Sequence, residues 1–215
     1  MTSAESLDRR RALALVLAAT ASLGASAPTH TADAPRAAAG ADPRHDVAFI
    51  VGSWRAHHRR RKERLANSTE WVEFGGTSVA QSLMGGIANM DDNVFDMPGG
   101  AYRGVSVRCY DPASRQWAIW WLDERNPGII DVPVVGGFEN GIGTFVCDDT
   151  LRGRPIKVRY VLTPLTATTR RWEQAFSPDG GRTWETNWIT EFTRTRTEGA
   201  GWPRNRAADA ASSWA

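Results

Sequence analysis

Three charged residues, Glu73, Arg108 and Glu173, stand in separate strand-like stretches of this 215-residue chain. On one shared wall, Glu73 or Glu173 facing Arg108 would orient a polar ligand or act as an acid/base pair. Asn187 would complete that cluster; the competing reading puts the carboxylates on a solvated outer face. His57 and His58 are adjacent. Neighbours on a strand point to opposite faces, so the two cannot chelate one metal, and one imidazole faces inward. Either is a candidate single haem ligand, yet the sequence calls for no cofactor. The remaining histidines, His30 and His45, lie in or beside a linker, too few for a zinc site. The basic run Arg59–Arg64 could meet an anion or a membrane surface; more simply it is a solvated strand end and loop. Asp91, Asp92, Asn93 and Asp96 have calcium-binding side chains but lack the glycine and distal glutamate of an EF-hand loop. Ser177 has no histidine in its half of the chain and no Gly-x-Ser-x-Gly around it, which argues against a serine hydrolase. No P-loop or dinucleotide fingerprint is present.

The elements that would position these residues are short and rich in Val, Ile, Tyr, Trp and Thr. "GSWRAHHRR" and "TEWVEFGGTSVAQSL" read as the first two strands. Three hairpins follow. The first joins "YRGVSVRCY" and "WAIWWLD", the second "GTFVCDDTL" and "PIKVRYVLTPL", and the third "TTRRWEQAFS" and "TWETNWITEFTR". "NMDDNVFDMPGG" reads as a polar loop near a barrel mouth. About eight or more strands in meander order predict an all-β, antiparallel up-and-down barrel. In the third hairpin, pairing Ser177 with Thr183 sets Phe176 against Trp184 and Trp172 against Trp188 on one face. Glu173 and Asn187 then share the outer face.

Two resemblances attach to these residues. Ser177-x-Asp179-x-Gly181-x-Thr183-Trp184 resembles the Asp-box hairpin of sialidases and related propellers. One copy, in a chain too short for a propeller, makes it a turn motif: Ser177 and Asp179 accept from turn amides, the glycines take positive φ, and Trp184 packs beneath. Gly52-x-Trp54 on the first strand, with Arg194 near the end of the last, resembles the lipocalin-like (calycin) barrels. That resemblance implies a structural closure, with Arg194 packed over Trp54. More specifically, "FIVGSW", "NVFDMPGGAYRGVSVRCYDPASRQWAIWWLD" and "RWEQAFSPDGGRTWETNW" are similar to a bacterial domain-of-unknown-function family with this fold. It implies a fold and no catalytic set.

The ends differ from the core. Residues 1–27 carry Arg9, Arg10 and Arg11, then the apolar run Ala12–Ala21, and read as an export signal of twin-arginine resemblance. The run is too short to span a bilayer comfortably, so no stable span is expected after its removal. Residues 28–44 read as a disordered linker and 195–215 as a disordered tail, leaving 45–194 as the barrel. The expected location is periplasmic or extracellular. A net charge of +2 is too weak to argue for nucleic-acid binding. Cys109 and Cys147 fall on non-adjacent strands, which favours two thiols over a bridge.

Ten tryptophans are many for a barrel of this size, and "WAIWW" is apolar on both faces. Either the barrel holds a mixed-lined cavity or a second subunit covers its wall, so a monomer or a homodimer is expected. The reading is an exported barrel that binds a small, partly apolar molecule through His58, Trp71, Tyr160, Gln174 and Trp188. The alternatives are an enzyme using Glu73 or Glu173 with Arg108, and a structural or interaction module with a filled barrel.

Overall fold

The structure is a computed structural model that describes residues 42–196. The expected export signal (1–27), most of the expected linker and the tail beyond 196 lie outside the described residues. At residues 42–45 Asp42 caps a 3₁₀ turn at Pro43–His45 by accepting from the Arg44 amide. A second 3₁₀ turn follows at Ala48–Ile50. Ten strands come next: β1 (Gly52–Arg61), β2 (Trp71–Leu83), β3 (Ala88–Phe95), β4 (Tyr102–Asp111) and β5 (Gln116–Asp123) form the first half. β6 (Val134–Glu139), β7 (Ile142–Leu151), β8 (Arg154–Pro164), β9 (Thr169–Ser177) and β10 (Glu185–Arg196) form the second. Every strand pairs antiparallel with its chain neighbours, and β1 also pairs with β10, so the barrel is closed. Closure leaves no unpaired edge. Among the described residues no helix is long and apolar enough to cross a membrane.

Alternation along each strand sorts the side chains. On β1, Trp54, Ala56 and His58 are buried, while Arg55, His57 and Arg59 are exposed. On β2, Phe74, Gly76, Ser78 and Ala80 face in. A continuous apolar cluster, including Val47, Ile50, Trp117, Phe145 and Leu162, fills one part of the interior and encloses the second 3₁₀ turn. Each such fully buried side chain contributes about 2–3 kcal/mol of apolar transfer. That turn plugs one end. Trp54 Nε1 donates to the Ile50 carbonyl at 2.8 Å. Arg194 donates to the carbonyls of Val51 (2.7 Å) and Phe49 (3.0 Å), and its guanidinium lies 4.0 Å from the Trp54 ring centre.

Four features differ from the sequence expectation. "NMDDNVF" is not a loop: it is most of β3, whose Asn89, Asp91, Asn93 and Phe95 point inward. β6 is an additional short strand, "VVGGFE". The register of the β9–β10 hairpin also shifts. Phe176 pairs with Glu185, Gln174 with Trp188 and Trp172 with Thr190, with a bulge at Asn187. The cause is the extra residue: a bulge sets two residues against one and turns Asn187 off the outer face. Asn187 is fully buried, with its Oδ1 accepting from Gln174 Nε2 at 2.8 Å. Strand β10 runs to Arg196, beyond the expected end at 194.

The β9–β10 turn itself is built as a local hydrogen-bond knot. Asp179 accepts from the Thr183 amide (2.9 Å), the Thr183 hydroxyl (2.7 Å) and the Arg182 amide (3.0 Å). Ser177 Oγ donates to Asp179 at 2.8 Å and accepts from the Gly181 amide at 2.8 Å. Gly180 and Gly181 have φ of 76° and 98°, which side chains with a Cβ adopt rarely. Trp184 Nε1 closes back on the Gly181 carbonyl at 3.0 Å, and Arg159 covers its ring at 4.3 Å.

Candidate functional site

The barrel encloses a cavity of about 380 Å³. Its walls are aromatic: Phe95 (β3), Tyr102 (β4), Trp121 (β5), Trp172 (β9) and Trp188 (β10) line it. Trp172 and Trp188 meet edge to face with ring centres 5.7 Å apart. Gly104 is where the wall opens for a ring: a Cβ there would overlap the Trp121 indole. Arg60, Arg64 and Arg125 line the cavity where the β1–β2 and β5–β6 loops leave the barrel. Arg60 lies 5.1 Å above the Trp188 ring, and Arg125 3.7 Å above Tyr102. The basic run is therefore not wholly solvated, because strand alternation turns Arg60 inward beside His58.

His58 is the inward imidazole and is 3% exposed. It stacks on Phe74, with ring centres 4.7 Å apart, and touches Phe95 and Trp188. Its Nδ1 is 2.8 Å from Thr190 Oγ1 and 3.4 Å from Trp188 Nε1. The indole N–H can only donate, so Nδ1 is the acceptor and the ring proton sits on Nε2. Nε2 is buried without a partner, close to where a Gly76 side chain would stand. Burial, followed by the charges of His57 and Arg60, pulls the imidazole pKa down to about 3. The ring is neutral at physiological pH.

Below the aromatic walls lies a charged cluster. Arg108 donates to Asp91 Oδ2 at 2.8 Å and to Asn89 Oδ1 at 3.0 Å. Asp91 also accepts from Asn93 Nδ2 (3.0 Å) and the Ser106 amide (3.2 Å). Desolvation raises the Asp91 carboxyl, but Arg108 and Arg170 outweigh it, so Asp91 is held below the usual carboxylate range. Arg170, on β9, is 2% exposed, and its guanidinium packs 3.6 Å from the Phe192 ring centre and 4.7 Å from that of Trp54. Its Nε and Nη2 have no hydrogen-bond partner. Burial lowers its pKa to about 9, which still leaves it charged at neutral pH.

Of the sequence-stated ligand residues, His58, Tyr160, Gln174 and Trp188 line this cavity. Burial raises the Tyr160 phenol, which stays protonated. Trp71 does not line it. It lies on the outer wall, with Arg59 and Arg61 over its ring at 5.2 and 4.9 Å, because β2 turns Val72 and Phe74 inward instead. The carboxylates proposed to face Arg108 are also outside. Glu73 bonds Arg59 and lies 3.4 Å from His57, and Glu173 bonds Arg171 on the same outer face. The acid/base pairing with Arg108 is thereby overturned: the inner carboxylate is Asp91. Asp91 and Asp92 point to opposite sides, Asp92 pairing with Arg103 outside, so they do not converge on one calcium. Among the described residues no cluster of three or more metal-ligating side chains occurs. Arg170 is a site residue that sequence reasoning did not single out, and Asp91 was expected only as a loop residue with a calcium-binding side chain. The period-two parity of Arg170 with Trp172 and Gln174, and of Asp91 with Phe95, carries their orientation.

No protein-family model and no curated protein matches the chain. Solved structures similar to it include an S-type phycobiliprotein lyase from Guillardia theta, at 12% identity and TM-score 0.48, covering 70% of this chain and 91% of that one. A redesigned beta barrel is similar at 11% identity and TM-score 0.40, covering 71% and 96%. The protein EF1p2_mFAP2b bound to DFHBI is similar at 10% identity and TM-score 0.39, covering 71% and 99%. The architecture is a closed, ten-stranded antiparallel barrel of lipocalin-like type.

Proposed function

We propose that this protein binds one small, partly apolar molecule inside its barrel. The observation that carries the reading is the cavity of about 380 Å³ in which tryptophan walls meet buried, unpartnered polar groups. That volume equals roughly a dozen waters and lies within the ~300–1,000 Å³ range of ligand pockets. It speaks against a barrel filled by its own side chains. The indoles of Trp172 and Trp188 supply rigid apolar contact, and Gln174 and Tyr160 supply orientation. His58, neutral and locked by Thr190 and Trp188, acts as a wall; it does not titrate near neutrality. No catalytic pair is part of this reading. Membership of the bacterial family of unknown function, action outside the cytoplasm and a monomeric or homodimeric state belong to the same proposal and rest on the sequence alone.

The test is a titration with N-phenyl-1-naphthylamine, a neutral aromatic probe whose emission rises in apolar surroundings. One saturable site per chain, with quenching of tryptophan emission that Trp188→Ala weakens, supports the reading. No saturable binding sinks it.

A further inference from the structure

Arg170 poses an electrostatic problem that the fold leaves open. Its guanidinium is buried and charged, yet the neighbouring carboxylate is already taken: Asp91 accepts from Arg108, Asn93 and the Ser106 amide. Stacking on Phe192 and Trp54 orients the guanidinium, and each cation–π contact returns about 2 kcal/mol, but neither supplies a hydrogen-bond acceptor. Desolvating an ion costs several kcal/mol. Arg170 Nε and Nη2 and Arg108 Nε have no acceptor in the protein. Two guanidiniums and one carboxylate therefore leave a net positive charge in this part of the cavity. The wall elsewhere does not cancel it, since Arg60, Arg64 and Arg125 face Asp123 and Asp131, again three cations against two anions.

The position of this charge is as informative as its sign. Trp54 is bonded to the 3₁₀ plug through Ile50, and Arg170 rests on Trp54. Arg170 thus lies at the closed end of the cavity, below the aromatic walls. We infer that the cavity floor is a seat for the acid group of an amphiphilic organic anion, which enters acid-first and leaves its apolar body among Trp121, Trp172 and Trp188. This inference rests on the reading of the cavity as a ligand site and names the class of ligand. The acceptor chemistry is that of a carboxylate or sulfonate: an anion presenting two or more oxygens on one group matches the unfilled N–H groups of a guanidinium in a fork.

The experiment uses two probes that differ by one acid group on the full chain: N-phenyl-1-naphthylamine and 8-anilinonaphthalene-1-sulfonate. The wild type is expected to bind the sulfonate at least ~10-fold more tightly, which corresponds to about 1.4 kcal/mol. Arg170→Met should remove that preference for the sulfonate over the neutral probe, and Arg170→Lys should retain part of it. Both variants are checked for native circular dichroism. Should Arg170→Met not fold, competition on the wild type decides: 1-naphthoate must displace the neutral probe at ~10-fold lower concentration than 1-naphthalenemethanol. An unchanged preference in Arg170→Met, or equal competition by acid and alcohol, overturns the anion seat while leaving the cavity reading standing. Failure of the neutral probe to bind the wild type removes both.

Discussion

His58 should make the fold acid-labile through one identifiable group. The imidazole is packed between Phe74, Phe95 and Trp188, with Nδ1 already accepting and Nε2 without a partner. Burial is the main cause that moves its pKa from 6.5 to about 3. The unfolded chain takes up this proton near neutrality; the folded chain does not until much lower pH. Its contribution is fully present above pH 6.5 and is lost as pH falls through the window down to about 3. Linkage gives a slope approaching about 1.4 kcal/mol per pH unit within the window. Between about pH 7 and about pH 4.5 the loss is therefore on the order of 2–3 kcal/mol. The perturbation is His58→Gln, whose amide still reaches Thr190 but does not titrate. The assay is urea unfolding at a series of fixed pH values, followed by tryptophan emission. Burial raises Asp46 and Asp131, but these titrate in both proteins and cancel in the difference. The stability gap between wild type and variant should move by roughly 2–3 kcal/mol across the series, against the wild type as the solution becomes acid. Parallel stability curves would refute the placement of His58 as a buried neutral imidazole.

Three further outcomes follow from the same contacts. Arg170→Met should raise the ligand-free stability by about 1–2 kcal/mol, read as a higher melting temperature, because an unpaired buried charge is removed at the cost of its cation–π contacts with Phe192 and Trp54; a lower melting temperature would count against the unsatisfied guanidinium. Added haemin should show no Soret shift that depends on His58 or His57, since His58 Nε2 carries the ring proton and is buried against Gly76, whereas His57 is on the outer wall; loss of a shifted band in His58→Ala would contradict this. Asp179→Ala should lower the urea midpoint by freeing the turn amides of Arg182 and Thr183, yet leave the neutral-probe affinity within about twofold, because the knot does not line the cavity.

The meander was legible where strands carry β-branched and aromatic residues between clear turns, as in β4–β5 and β7–β8. It was not legible at β3, because "ANMDDNVF" has the composition of a loop. That strand is polar because its inward face lines a charged cavity, so the local rule fails at the site itself. β6 was hidden by its length and its paired glycines. Of the four expected ligand residues that line the cavity, only His58 is on a strand whose faces alternate cleanly; Gln174 and Trp188 lie beside the bulge. Trp71 was misplaced by hydrophobicity: it is apolar, but Arg59 and Arg61 cover it on the outside. Asn187 was misplaced because a bulge shifts register without a sequence mark. Parity alone turns Arg170 inward; that it meets Asp91 and Arg108 depends on which strands face each other across a closed barrel, and tilt and shear set that.

The central claim, that the ligand lies within the barrel, is tested most directly by filling the cavity. Ser106 on β4 lines it beside Asp91 and Arg108. Ser106→Phe should fold, as judged by circular dichroism and an unfolding free energy in urea no lower than that of the wild type by more than about 2 kcal/mol. The expected result is one neutral-probe site in the wild type and at least a ~10-fold loss of affinity in the folded variant. Equal binding by the two would place the probe elsewhere and contradict the claim.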